Sequence, residues 1–220
     1  MKFKTTLFTG RNLLLLFIFS FLFSGGTIFA QGLQISLSYG LYKTTPKFNH
    51  TTSIKNSSSF GNSTLYSIGL TKKLSNNFYL QTELGFISNI SFFSIIYNYD
   101  EGFGEKHNIL LTWLHNERVY IGIIPEFRKK YKSIGFFING GILFSKDLKN
   151  KFATLQKTYS ISSYPLGISL NAGLNVYFNS ITLKISLNYM SFTKSKLINK
   201  YHPYISYSNI GTKFGILYSF

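Results

Sequence analysis

Along residues 165–193 hydrophobic and polar side chains alternate with a period of two. Leu166, Ile168, Leu170, Ala172, Leu174, Val176 and Phe178 form one row, and Gly167, Ser169, Asn171, Gly173, Asn175 and Tyr177 the other. After Asn179-Ser180 the alternation restarts, with Ile181, Leu183, Ile185, Leu187 and Tyr189 against Thr182, Lys184, Ser186 and Asn188. Neighbouring side chains of a strand point to opposite faces, so each segment predicts a strand with one oily and one small polar face. The Asn-Ser link makes the two an antiparallel hairpin.

The same rhythm runs along most of the chain. It predicts strands at 32–43, 64–74, 78–88, 133–145 and 206–220, and a further crossing within 109–128, centred on Val119 to Phe127. In that crossing Ile121, Ile123 and Phe127 fall on the oily face, and Tyr120, Gly122, Glu126 and Arg128 on the other, with 109–115 as a candidate extension. Pro125 has no N–H to give to a ladder and is expected near a strand end or bulge. The polar row at 133–145 has two exceptions, Phe137 and Leu143.

Eight strands result, each long enough for the roughly 9–11 residues that a tilted barrel strand needs to cross a bilayer. The expected connections alternate between long (44–63, 89–108, 146–164, 194–205) and short (75–77, 129–132, 179–180). Bacterial outer-membrane barrels sort their loops in this way, with short periplasmic turns, longer outer loops and an even strand count. The expected fold class is therefore all-β, an eight-stranded antiparallel up-and-down transmembrane β-barrel with both termini periplasmic. Periodicity does not say which face lies inside, so a soluble lipocalin-type barrel, with the oily face around a ligand, is the alternative.

Composition bears on that choice. Charged residues make up 14% of the chain, against about 25% in a typical soluble protein. The polar rows are built from Ser, Asn, Thr, Gly and Gln, which suit a crowded interior better than a solvated exterior. The net charge is +16, or about +13 without Lys2, Lys4 and Arg11, and the bases are expected mainly in the connections. Residues 1–30 read as a cleavable signal peptide: a basic start, the apolar run Leu13–Phe23, the break at Ser24-Gly25-Gly26, and Ala30 at a plausible cut. The barrel domain is then 31–220, exported to the outer membrane of a Gram-negative cell. With no cysteine, disulfides and thiolate metal sites are excluded.

Several segments resemble the PorT-like outer-membrane β-barrel family of the Bacteroidota. They are Lys73-Leu74-Ser75-Asn76-Asn77-Phe78-Tyr79-Leu80-Gln81-Thr82-Glu83-Leu84-Gly85-Phe86, then Tyr120-Ile121-Gly122-Ile123-Ile124-Pro125, and the closing Phe214-Gly215-Ile216-Leu217-Tyr218-Ser219-Phe220. The last is similar to the terminal-aromatic signal read by the barrel-assembly machinery. The resemblance implies a fold and a location, and carries no catalytic residues. Some relatives are linked to type IX secretion.

Among residues able to do chemistry, Glu83, Glu126, Lys184 and Lys213 fall on polar rows of different strands, each near the periplasmic end. Inside a narrow barrel they are expected to pair as an interior charge network; a proton or ion path is the functional alternative. His50, His107, His115 and His202 are scattered, so neither a metal site nor a cofactor is expected. His115 and Glu117 share strand parity, the only hint of a lipid A-modifying enzyme, and no enzymatic activity is expected. The expected partners are outer-membrane lipids, the assembly machinery, and a surface glycan or protein met through the long loops, as for an adhesin or a secretion-associated subunit. A nucleic-acid partner is not expected.

Overall fold

Period-two segments joined by short turns can satisfy their backbone only by pairing laterally, and here the pairing closes on itself. The computed structural model describes residues 32–49, 54–100, 105–154, 158–160, 165–196 and 204–220. The expected leader, His50 and His202 lie outside them. The strands are β1 Leu33–Asn49, β2 Ile54–Lys73, β3 Phe78–Asp100, β4 Glu105–Tyr131, β5 Ile134–Thr154, β6 Thr158–Ser160, β7 Leu166–Phe178, β8 Ile181–Lys196 and β9 Tyr204–Ser219. The order β1-β2-β3-β4-β5-β7-β8-β9 returns to β1, with every pairing antiparallel; β6 is a short addition on β5. The result is a closed eight-stranded barrel.

Register fixes its geometry. From Ser36 the ladder pairs run through Gly69, Glu83, Gly122, Leu143, Gly167, Phe192 and Tyr207 to Pro46, ten residues further along β1. A stagger of that size over eight strands tilts them by about 40° from the barrel axis.

The sidedness follows the two rows. On β7 the burial pattern alternates, with Leu166, Ile168, Leu170, Leu174 and Phe178 exposed, and Gly167, Ser169, Asn171 and Asn175 buried. Leu37, Ile68, Ile138, Leu187 and Ile216 continue the exposed apolar wall around the barrel. The outward row of β5 from Ile134 to Phe144 rises about 25 Å at that tilt, the height of the apolar band of transmembrane barrels, also about 25 Å. Aromatic pairs edge the band: Phe78–Phe127 (centroids 5.3 Å) and Tyr218–Phe220 (5.1 Å) towards the turns, and Tyr39–Tyr66 (5.2 Å) higher up. One outward residue, Ile121, is only 9% exposed, flanked in register by Leu84 and Phe144.

Three expectations need correction. The strands run far beyond the predicted crossings: β4 has 27 residues and β3 has 23. Much of the expected long links 44–63, 89–108 and 146–164 is therefore ladder, and lysines such as Lys146 and Lys149 lie on strands, not in connections. Above the band no lipid sorts the faces, so the apolar alternation fades although the pairing continues. Pro125 lies inside β4, six residues from its end. It keeps its partner Leu80 on β3, but on the β5 side the pairing skips from Ile123↔Ile142 to Glu126↔Asn139 without a change of register, opposite Gly140 and Gly141. A Cβ at Gly141 would stand 2.3 Å from the Ile123 carbonyl oxygen, so the glycine lets the strands stay close where the proline bonds are missing. The bulge in this strand pair lies elsewhere, at Glu117/Arg118, where Leu148 is the extra residue.

Candidate functional site

The inward rows fill the barrel in layers. Nearest the turns, Glu126 on β4 accepts from Lys184 Nζ (2.5 Å) on β8 and Asn139 Nδ2 (2.7 Å) on β5, and pairs with Arg128 two residues along its own strand. Arg128 also donates to Gln34 Oε1 (2.5 Å) and lies over the Tyr79 ring at 4.2 Å. The Lys184 ammonium is 3.9 Å from the centroid of Phe137, one of the two apolar side chains on the polar row of β5.

Higher in the lumen, Glu83 on β3 is held by Lys213 of β9, whose Nζ donates to both carboxylate oxygens (2.6 and 2.7 Å). Tyr120 Oη (2.5 Å) and Gln81 Nε2 (2.7 Å) also donate to it. The four charges marked by the sequence therefore stand as two ion pairs, Glu83–Lys213 and Glu126–Lys184, with Arg128 as a third cation. Both carboxylates are almost wholly buried. Each is multiply bonded, as a charge in so dry a place requires. The space left among Ser36, Ser38, Glu83, Asn171, Lys184 and Lys213 is about 20 Å³, room for roughly one water molecule.

Above this lies an apolar layer made of Tyr42, Leu65, Ile87, Ile124, Leu143 and Met190, with Tyr120 and Phe192. Over it sits a third buried pair, Arg118 Nε to Asp147 Oδ1 at 2.7 Å, both side chains at 0% exposure. Asn116 donates to Asp147 (3.0 Å) and Asn89 to Asn116 (3.1 Å). The Arg118 guanidinium lies 4.2 Å from the Phe192 ring centroid and 5.4 Å from that of Tyr207, so aromatic faces take part of the role that water would play. Sequence reasoning missed this pair. Extending the even parity of Tyr120 upstream to Arg118 and Asn116 would have found half of it.

His115 and Glu117, noted for their shared parity, do meet: Nε2 to Oε1 is 3.0 Å, with Lys149 Nζ 3.3 Å from the same oxygen. They stand on the outer wall above the apolar band, not in the lumen. His107 occupies a register position opposite Asn98 on β3. No group of three or more possible metal ligands occurs among the described residues.

A closed sheet with an apolar outside and a polar, ion-paired inside inverts the order of a soluble barrel. That inversion defines the class: a small transmembrane β-barrel of eight strands. Solved structures agree on the fold. The outer-membrane protease OmpT from Escherichia coli is similar over 87% of this chain and 97% of its own, at 12% identity and a TM-score of 0.54. The outer-membrane protein OprG from Pseudomonas aeruginosa is similar over the same shares, at 10% identity and a TM-score of 0.54. Neither a family model nor a curated protein sequence matches the chain. At such identities the likeness is one of fold.

Proposed function

We propose that this chain is a small integral outer-membrane β-barrel whose lumen is a plug and whose task is performed on its outside. On this reading residues 1–30 are the export signal, the short turns face the periplasm, and the protein is a PorT-like barrel without catalytic residues. The observation that carries it is the filled interior. Among the described residues, ionic side chains at two levels and an apolar tier between them occupy the lumen, and a barrel of eight strands has little room for an aqueous path. What the protein offers to its surroundings is the long extension of β1 to β5 above the apolar band. An adhesin or a secretion-associated subunit is a special case of that display role. The test is conductance in a planar bilayer after the barrel is shown to be folded. We expect no discrete opening steps from the wild type. Reproducible single-channel steps would make it a pore and overturn the reading.

A further inference from the structure

The outward face of β3–β5 carries a second apolar patch where lipid tails cannot reach. On β3 the lipid-facing row ends at Phe86 and on β4 at Val119. The next outward positions are Ser88, Glu117 and Lys146, a polar row continued by exposed Lys43 and Thr193 on other strands. Above that row Ile90 (47% exposed), Phe92 (56%), Trp113 (38%) and Leu148 (55%) again present large apolar surface. Each further outward position adds about 5 Å of height on a strand so tilted, which puts Ile90, Phe92 and Trp113 roughly 10–15 Å above the last acyl-facing row. Phe92 and Trp113 are direct register partners, Ile90 stands opposite His115, and the bulge on β5 presents Leu148 beside Glu117.

Exposed apolar side chains that cluster beside polar ones mark a contact surface. With about 150–250 Å² per large side chain, the exposed fractions of Ile90, Phe92 and Trp113 leave roughly 200–350 Å², close to the size of patches that are often functional. That is well below the roughly 800 Å² per partner of a stable protein interface. Between this trio and Leu148 stand His115, Glu117 and Lys149, with the His115 imidazole and the Lys149 ammonium both against Glu117 Oε1. Aromatic faces beside a carboxylate and an ammonium match a sugar ring bearing phosphate: C–H faces stack on Phe92 and Trp113, hydroxyls meet Glu117 and His115, and phosphate meets Lys149. In an outer membrane the material at this height is the phosphorylated saccharide of the outer-leaflet glycolipid. We propose that Ile90, Phe92, Trp113 and Leu148, with Glu117 and Lys149, form a docking face for that saccharide. The proposal rests on the outer-membrane reading above.

Trp113 is the only tryptophan of the chain, so its emission reports on this face alone. The full barrel, folded in neutral detergent, is titrated with lipid-free phosphorylated core oligosaccharide from a rough-type lipopolysaccharide. A saturable blue shift is expected. Phe92→Ala and, independently, Leu148→Ser should each weaken it by about tenfold, and Lys149→Gln should remove the preference over the dephosphorylated oligosaccharide. No saturable shift with a heat-modifiable, folded barrel overturns the docking face and leaves the barrel reading intact. So does an equal response to dextran, or a dimer in sedimentation that Phe92→Ala dissolves. A chain that neither folds in detergent nor inserts into vesicles sinks the barrel reading itself.

Discussion

Glu83 takes hydrogen bonds from three side chains on three elements, and only one of them, Lys213, carries a charge. Replacing Glu83 with Ala leaves that ammonium inside the sheet with no counter-ion, which costs about 3–5 kcal/mol for a buried pair broken on one side. Glu83→Ala should therefore lower the urea midpoint of the barrel in lipid vesicles markedly, while Glu83→Gln with Lys213→Met recovers much of the loss. An unchanged midpoint for Glu83→Ala would show that the pair does not hold the lumen together. This pair was legible from parity alone: Glu83 and Lys213 each sit on the polar row of a strongly alternating strand. Arg118 and Asp147 were not, because the alternation around them is weak. Val119 marks the last step of the lipid-facing row on its strand, and Asp147 keeps the inward parity of Ser145 but lies beyond Phe144, where the apolar row of β5 has ended and the sequence reads as a link.

Strands whose crossing segments were plain in the sequence turned out to have hidden ends. The lipid band forces every second residue to be apolar, and that constraint is what the eye reads. Beyond it, as at Asn62, Thr64 and Ser88, the outward row turns polar and a strand looks like a loop until its partner is known. Close strand approach was equally invisible. A Cβ on Gly211 of β9 would lie 2.0 Å from the Leu41 carbonyl oxygen and 2.6 Å from Tyr42 Cα of β1. Because the obstacle is backbone, Gly211→Ala has to push β1 and β9 apart. A cost of about 1–3 kcal/mol is expected, the usual penalty of overpacking. It should appear as a lower temperature for the folded-to-unfolded shift on semi-native gels; a wild-type transition would mean that β1 and β9 yield easily.

For the molecule as a whole, the decisive property is which solvent its leucines meet. Leu187 is 70% exposed in the middle of the apolar band, whereas exposed Thr45 lies on the outward row of β1 beyond Lys43. Arginine at the mid-height of a lipid-facing wall costs about 2–4 kcal/mol and close to nothing near the interface. Leu187→Arg should thus impair folding into vesicles strongly, and Thr45→Arg hardly at all. Equal tolerance at both positions would speak for a water-soluble carrier. Sequence periodicity was blind to this choice; low charge and the sorting of the connections by length pointed to it, and the closed sheet shows the leucines outside.

The ladder between β1 and β9 joins residues as far apart as Gln34 and Ser219, 185 positions along the chain. Until the final strand is delivered, Leu33–Asn49 has one unzipped margin, ready to recruit any passing extended peptide. The slow step of biogenesis should therefore be the clasping of first strand to last, and a chaperone that shields the amino-terminal margin would help this protein most.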